Sequence, residues 1–218
     1  MSKWSWSQEA LPHQADKGQG SIMARNPMAV LPSLQNDAGG LITITPIDPE
    51  LDRNIDAIHE AGHCVFAHLL GLHVKNITIK PKTKLASCNL TRISDIKSLL
   101  FWDVGRKFYA AGMVVTKKYY PEVVTPPDGY DLKELYWQGG ISKSHKKLLR
   151  KYFRSPDLFK SQIENLSTEL LREDLQEYFR QNLADPKIRF KIEALSHALL
   201  VKEELTASEI QLTLLSNV

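Results

Sequence analysis

The stretch IDAIHEAGHCVFAHLLG, residues 55–71, carries apolar side chains at the three- and four-residue spacing of a helix. These residues are Ile55, Ile58, Phe66, Leu69 and Leu70. Gly71 follows the last of them, and glycine commonly ends a helix. Asp52 or Asn54 is expected to cap the first turn. The pattern therefore predicts one helix that begins shortly after Pro49 and ends at Gly71.

Two segments that follow this helix have the sequence character of strands. VKNITIK (74–80) alternates apolar and polar residues, and LASCNLTR (85–92) comes after a turn that contains Pro, Lys and Thr. Two such runs separated by a short turn predict a β-hairpin. A second helix is predicted from Ser94 or Asp95 to about Lys118.

The stretch YPEVVTPPDGY (120–130) is predicted to be a loop because of its Pro-Pro and Asp-Gly pairs. Asp131 then begins a short helical segment, and a Gly-Gly pair at 139–140 interrupts it. Helical periodicity continues from Ser142 to the end of the chain. Breaks in it are predicted near Pro156, Pro186 and Thr206. The fold class predicted from these segments is mainly α with a small β-hairpin.

The composition divides the chain into two parts. Residues 1–48 contain Gly, Pro, Ser and Gln without sustained periodicity, which predicts a disordered leader. Residues 49–218 are predicted to form the folded domain. The 218 residues are 43% apolar and 24% charged, as in ordinary globular proteins. The net charge of +3 is too small to imply nucleic-acid binding by itself.

Cysteine content and hydropathy bear on the cellular location. Cys64 and Cys88 are the only cysteines, too few for a disulfide framework or a multi-cysteine metal site. No apolar run approaches the roughly 18–20 residues that cross a bilayer. The first 20 residues are polar throughout, unlike a secretory signal. We therefore expect a soluble cytoplasmic protein.

The segment His59-Glu60-Ala61-Gly62-His63 within the first helix matches the pattern HExxH. Histidines four residues apart lie on one helix face, so both imidazoles can reach one metal ion. Glu60 then lies beside the ion, where it can act as general base on a metal-activated water. The pattern predicts a zinc-dependent peptidase.

The alternative interpretation is a helix with two ordinary histidines and a surface glutamate. It fits poorly with the apolar character of this helix, because a buried carboxylate and two buried imidazoles are costly unless something binds them. His68 is not a third ligand on this pattern. The third histidine of HExxHxxGxxH would fall at Leu69, and His68 is rotated away from the metal-facing side.

Several segments resemble the peptidase domain of the FtsH-type membrane proteases. IHEAGH (58–63) resembles that family's zinc helix, of which the AGH ending is typical, and VKNITIKP (74–81) resembles the strand that follows it. PDGYDLKEL (127–135) resembles the segment that supplies the third zinc ligand as an aspartate. IEALSHALLVKEELTASEI (192–210) resembles the closing helical hairpin. The resemblance covers about residues 50–215 and implies an FtsH-peptidase-like helical zincin.

The resemblance implies that His59, His63 and Asp131 bind zinc and that Glu60 is catalytic. From the residues alone, Asp131 fits equally well a metal ligand held on a helix and an ordinary helix N-cap. The resemblance favours the ligand, with Asp128 as the alternative.

The resemblance also implies a mode of substrate binding. In the family, the strand after the zinc helix presents an edge to which an extended substrate adds. LASCNLTR corresponds to that strand, and Ala86, Ser87 and Cys88 are small enough to leave room for a substrate backbone. The implied partners are a protein or peptide substrate and further copies of the chain in a homo-oligomer.

The sequence departs from the family pattern in three respects. The phosphate-binding motif GxxxxGK[ST] is absent, and so is an apolar run of transmembrane length. FYAAGMVV (108–115) occupies the place of a Leu-Gly-Gly-Arg-Ala-Ala helix. Met113 and Thr116 stand where the family usually has Arg and Glu, which changes the support around the site.

The resulting hypothesis is an ATP-independent zinc metalloendopeptidase that cleaves unfolded or flexible proteins. The alternative is an inactive scaffold that keeps the fold and the zinc but works by binding. Glu60 argues against the alternative, because a binding module needs no general base.

The segment KSHKKLLRKYFR (143–154) is the densest basic stretch of the chain. It is a candidate site for an acidic partner, anionic lipid or nucleic acid. The alternative is a solvated helix face whose charges balance the acidic run near Glu164–Glu177.

Overall fold

The first predicted helix is α1, Pro49–Leu69, and it begins slightly earlier than expected. Its N-cap is Asp48, whose side chain accepts a hydrogen bond from the backbone N–H of Glu50 at 3.0 Å. The predicted caps Asp52 and Asn54 were therefore wrong, since both lie inside the helix. Pro49 is favourable at the first helical position because its missing N–H would have no intrahelical partner there.

The computed structural model describes residues 48–79, 86–91, 102–123 and 129–215. The predicted leader, apart from Asp48, lies outside these ranges, as do Asp128 and the predicted start of the second helix at Ser94 or Asp95. The described part of that second helix is α2, Trp102–Tyr119.

Helices α1 and α2 pack against each other through small residues. A Cβ atom added at Gly62 of α1 would lie 2.8 Å from the Cβ atom of Val115 on α2, closer than real Cβ atoms approach. Ala61, Ala110 and Ala111 on the same two helices are fully buried. The absence of larger side chains therefore permits the close approach of the two helices.

A three-stranded antiparallel sheet follows α1 in the fold. The predicted hairpin is confirmed as β1, Val74–Thr78, paired with β2, Ser87–Leu90. A third strand, β3, Glu204–Thr206, pairs with the other side of β1, so the strand order is β2-β1-β3. This strand was not predicted.

The rest of the described chain is helical. The elements are α3, Gly129–Trp137; α4, Lys146–Arg154; α5, Pro156–Leu166; a 3₁₀ turn, Ser167–Leu170; α6, Glu173–Ala184; α7, Pro186–Lys202; and α8, Ala207–Leu215. Breaks before Pro156 and Pro186 are confirmed. The break at the 3₁₀ turn was not predicted, because no proline or glycine marks it. Leu171 forms an isolated bridge with Ile141 there.

Helix α1 is buried between α2 and α7, and its apolar face contributes to one hydrophobic cluster with the sheet and the later helices. The described structure is therefore mainly helical with a small antiparallel sheet, as the sequence predicts. None of the helices in the described ranges combines the length and the apolar content needed to cross a lipid bilayer.

Candidate metal centre

Three side chains from two helices that are far apart in the sequence lie close together in the fold. The Nε2 atoms of His59 and His63 on α1 are 3.1 Å apart. The Oδ2 atom of Asp131 on α3 lies 2.8 Å from Nε2 of His63 and 3.4 Å from Nε2 of His59. The three residues form a group that could hold a metal ion.

The spacing of these atoms can be tested against a tetrahedral ion. Bonds of about 2.0–2.1 Å place the ligand atoms of such an ion about 3.3 Å apart. The observed separations, 2.8 to 3.4 Å, scatter around this value. Two imidazoles and one carboxylate in this arrangement therefore fit a divalent metal ion.

Asp131 lies in the first turn of α3, two residues after the helix begins at Gly129. It is thus inside the helix rather than at the N-cap position, and its carboxylate contacts both histidines. It is 9% exposed. The other proposed ligand, Asp128, lies outside the described residues.

Groups on α2 orient both imidazoles. Nδ1 of His63 donates a hydrogen bond to the backbone carbonyl of Phe108 at 2.8 Å. A carbonyl can only accept, so the proton sits on Nδ1 and Nε2 of the neutral ring is left for the metal. Nδ1 of His59 lies 3.4 Å from Oγ1 of Thr116, a buried hydroxyl. Partners of this kind hold metal-binding histidines in one orientation.

Gly112 of α2 leaves the space in which these ligand atoms meet. A Cβ atom at this position would clash with Nε2 of both His59 and His63. Any other residue at 112 would therefore displace both imidazoles or fill the metal position.

Burial and charge act in opposite directions on the cluster. Burial alone would lower the pKa of His63, but the carboxylate of Asp131, together with Glu60 and the carbonyl of Phe108, outweighs it and raises the pKa to about 9. Burial alone would raise the pKa of Asp131, but the charge of His63 and hydrogen bonds from both histidines hold it well below its usual range. In the absence of metal, His63 and Asp131 thus form a buried ion pair.

Glu60 lies beside the cluster and is 3% exposed. It lines a cavity of about 250 Å³ together with the three cluster residues and with the aromatic rings of Phe108, Tyr109 and Tyr130. Burial and the neighbouring Tyr130 raise the pKa of Tyr109 well above its usual range, so its phenol is neutral. Tyr130 is 55% exposed. The cavity therefore brings a carboxylate next to the candidate metal ligands.

The strand β2 forms one wall of the same cavity. Ala86, Ser87 and Cys88, the residues proposed for substrate binding, all line it. β2 is at the edge of the sheet, because its only sheet neighbour among the described residues is β1.

Burial and a hydrogen bond with Cys64 raise the pKa of Cys88 well above its usual range. Its thiol is therefore neutral in the metal-free protein.

Two other histidines in the described part of the chain lie away from the cluster. His68 is exposed near the end of α1, as the sequence predicts, and His145 hydrogen-bonds Oγ of Ser142 through Nδ1. Gly112 and the carbonyl of Phe108 were not singled out by sequence reasoning. A glycine inside FYAAGMVV was a usable signal, whereas a backbone carbonyl leaves no signal in the residue types.

Comparisons with known protein families and with curated proteins find no match to this chain.

Gly112→Ala is expected to abolish metal binding because the added methyl group clashes with both Nε2 atoms. We expect the affinity for Zn²⁺ or Co²⁺ to fall at least about 100-fold, since displacing ligands costs more than losing an outer hydrogen-bond partner. Titration calorimetry measures this. Gly140→Ala is the matched control: its added methyl group meets the flexible end of Leu135 rather than a ligand nitrogen, so metal binding should be retained. Equal metal affinity in Gly112→Ala and wild type would contradict the assignment.

The metal-free protein is expected to unfold at lower temperature as pH rises from 6.5 through about 9. The pKa of folded His63, about 9, exceeds its ordinary 6.5. The charged form therefore stabilises the fold fully below pH 6.5, by about 3 kcal/mol at most, and this stabilisation is lost as His63 deprotonates. The melting temperature, measured in the presence of a chelator at a series of pH values from about 5.5 to about 10, reports the effect. Asp131→Asn should flatten the profile, and identical profiles for the two proteins would refute the ion pair.

Proposed function

We propose that this protein is a zinc metalloendopeptidase whose folded domain is of the FtsH peptidase type. The observation that carries the proposal is the meeting of His59, His63 and Asp131 in one cavity with the buried carboxylate of Glu60. The resemblance of residues 50–215 to that family supports the same assignment from the sequence.

Zinc is the proposed ion because of the donor set and its setting. Two imidazoles and one carboxylate leave a coordination position open, as in catalytic zinc sites. The same donors also bind Fe(II) in oxygenases. The placement of Glu60 directly after His59 favours hydrolysis, since an oxygenase has no use for a general base at that point.

The residues of the chain divide the chemistry between them. Zinc, when bound, lowers the pKa of a water molecule and polarises the scissile carbonyl. Glu60 accepts the proton of the attacking water and passes it to the leaving amine. Phe108 and Thr116 hold the imidazoles so that their Nε2 atoms face the cavity.

The burial of Glu60 weighs against an inactive scaffold. A carboxylate that is 3% exposed carries a desolvation cost. A protein that works only by binding needs no general base at this place. A hydrolase does gain, because a buried base beside a bound metal is where proton transfer is needed.

The substrate is proposed to bind along β2. An edge strand leaves backbone N–H and C=O groups unpaired, and an extended peptide can pair with them. Ala86, Ser87 and Cys88 then place the added chain beside Glu60, because they line the same cavity. Only unfolded or flexible segments are extended enough to add in this way, and we propose that their cleavage needs no ATP.

Glu60→Gln is the main test of the proposal. We expect wild type to contain stoichiometric zinc and to cleave casein without ATP. The variant should keep the zinc but lose about 10²- to 10⁴-fold in kcat, since it lacks the general base. Glu173→Gln, which changes an exposed residue in the first turn of α6, is the control and should cleave like wild type.

Each other outcome excludes part of the proposal. Zinc without casein cleavage in wild type would favour the scaffold. Iron as the native metal, measured by elemental analysis, would exclude the peptidase. The absence of stoichiometric metal from wild type would exclude both the zinc peptidase and the zinc-binding scaffold.

Ser87→Pro tests the substrate-binding edge. Proline removes one backbone N–H from β2 and fixes φ, so an added peptide strand can no longer pair regularly. We expect casein cleavage to be lost while zinc content stays at the wild-type level. Ser87→Ala keeps the backbone donor and should retain activity. Retained cleavage in Ser87→Pro would rule out binding by strand addition at this edge.

A further inference from the structure

The basic segment 143–154 forms a distinct face of the molecule. In α4, five cations fall within about 140° of the helix circumference. They are Lys146, Lys147, Arg150, Lys151 and Arg154. Lys143 adds a sixth cation in the preceding turn. The apolar residues of α4 lie on the opposite side, where Leu149 is fully buried. We call the six cations the basic face.

The charges of the basic face are not neutralised by carboxylates in the described part of the chain. Arg150 donates a hydrogen bond to the hydroxyl of Tyr136, and Lys151 lies 5.6 Å from the ring centroid of Phe159. Two of the acidic residues expected to balance the face have other partners. Asp174 pairs with Arg172 and Arg106, and Glu177 pairs with Arg180. The side chain of Glu164 lies outside the described residues.

Exposed apolar side chains border the basic face. On one side, Tyr136 packs against Phe153 of α4, and the next residue, Trp137, is 67% exposed. On the other side, Phe159 contacts Lys151, and the preceding residue, Leu158, is 76% exposed. The rings of Tyr136 and Phe159 thus flank the cations, and each ring has an exposed apolar residue as its neighbour in the chain.

We infer that the basic face binds the surface of a membrane that contains anionic lipids. Clustered lysine and arginine on a helix attract such a surface, and an indole is favoured at the interface between headgroups and acyl chains. Leu158 distinguishes this partner from others. Insertion among headgroups removes an aliphatic side chain from water, whereas a carboxylate-rich peptide or a nucleic acid backbone offers it no apolar contact.

The inference is independent of the metal centre, and its test needs no activity. The full chain is mixed with vesicles of phosphatidylcholine that contain about 30% phosphatidylserine, or none, and bound protein is separated by sedimentation. We expect binding to the anionic vesicles only, and weaker binding as salt increases above about 0.1 M, because salt screens surface charge.

Two variants separate the contributions of charge and apolar insertion. Lys143→Gln with Lys147→Gln removes two cations that make no ion pair within the described part of the chain, and the membrane partition coefficient should fall roughly 20- to 30-fold, about fivefold for each charge. Leu158→Ser leaves the charge unchanged and should lower it roughly fivefold. Lys75→Gln with Lys187→Gln is the matched control: it changes the net charge equally on β1 and α7 and should bind like wild type.

Several results would overturn the inference. Equal binding to neutral vesicles would do so, as would anionic binding that survives loss of Lys143 and Lys147. Tighter binding to polyglutamate or to single-stranded DNA, unaffected by Leu158→Ser, would assign the face to an acidic protein or a nucleic acid instead.

Discussion

The close approach of α1 and α2 is the constraint on which the candidate site depends. At Gly62 the helices are separated only by the side chain of Val115, and at Gly112 the free space holds the two imidazole nitrogens. The same approach brings the carbonyl of Phe108 to within 2.8 Å of His63. The geometry of the cluster is therefore a product of helix packing. Small residues at the helix crossing allow the two helices to hold the ligand side chains in a fixed geometry, as a rigid binding loop can in other metal sites.

Local sequence patterns predicted the elements whose own residues follow a regular apolar period. The apolar periodicity of residues 55–71 gave α1, and the alternation of residues 74–80 gave β1. The cap at Asp48 was missed, although an Asp-Pro pair at a helix start is a recognisable signal. The strand β3 could not be read from the sequence. It is three residues long, and its pairing with Ile77 and Asn76 joins segments more than 120 residues apart.

The same distinction applies to the site. The histidines and Glu60 were identifiable because all three belong to one motif of five consecutive residues. The residues around Asp131 fit two roles equally well, because a carboxylate early in a helix can be either an N-cap or a metal ligand. Only its contact with both imidazoles distinguishes these roles. Side chains such as Thr116 act through position in space, which residue types alone do not reveal.

The distance along the chain between His63 and Asp131 has a consequence for folding. They are 68 residues apart, and α2 lies between them. An ion bound to both would close a loop of that size only in the folded chain, so its binding free energy would add to the stability of the folded state. The two histidines are neighbours on one helix from the moment α1 forms, whereas the aspartate arrives only when α3 docks. The ion would then bind to all three ligands only after tertiary packing is complete. Its loss would weaken the docking of α3 before it affected α1.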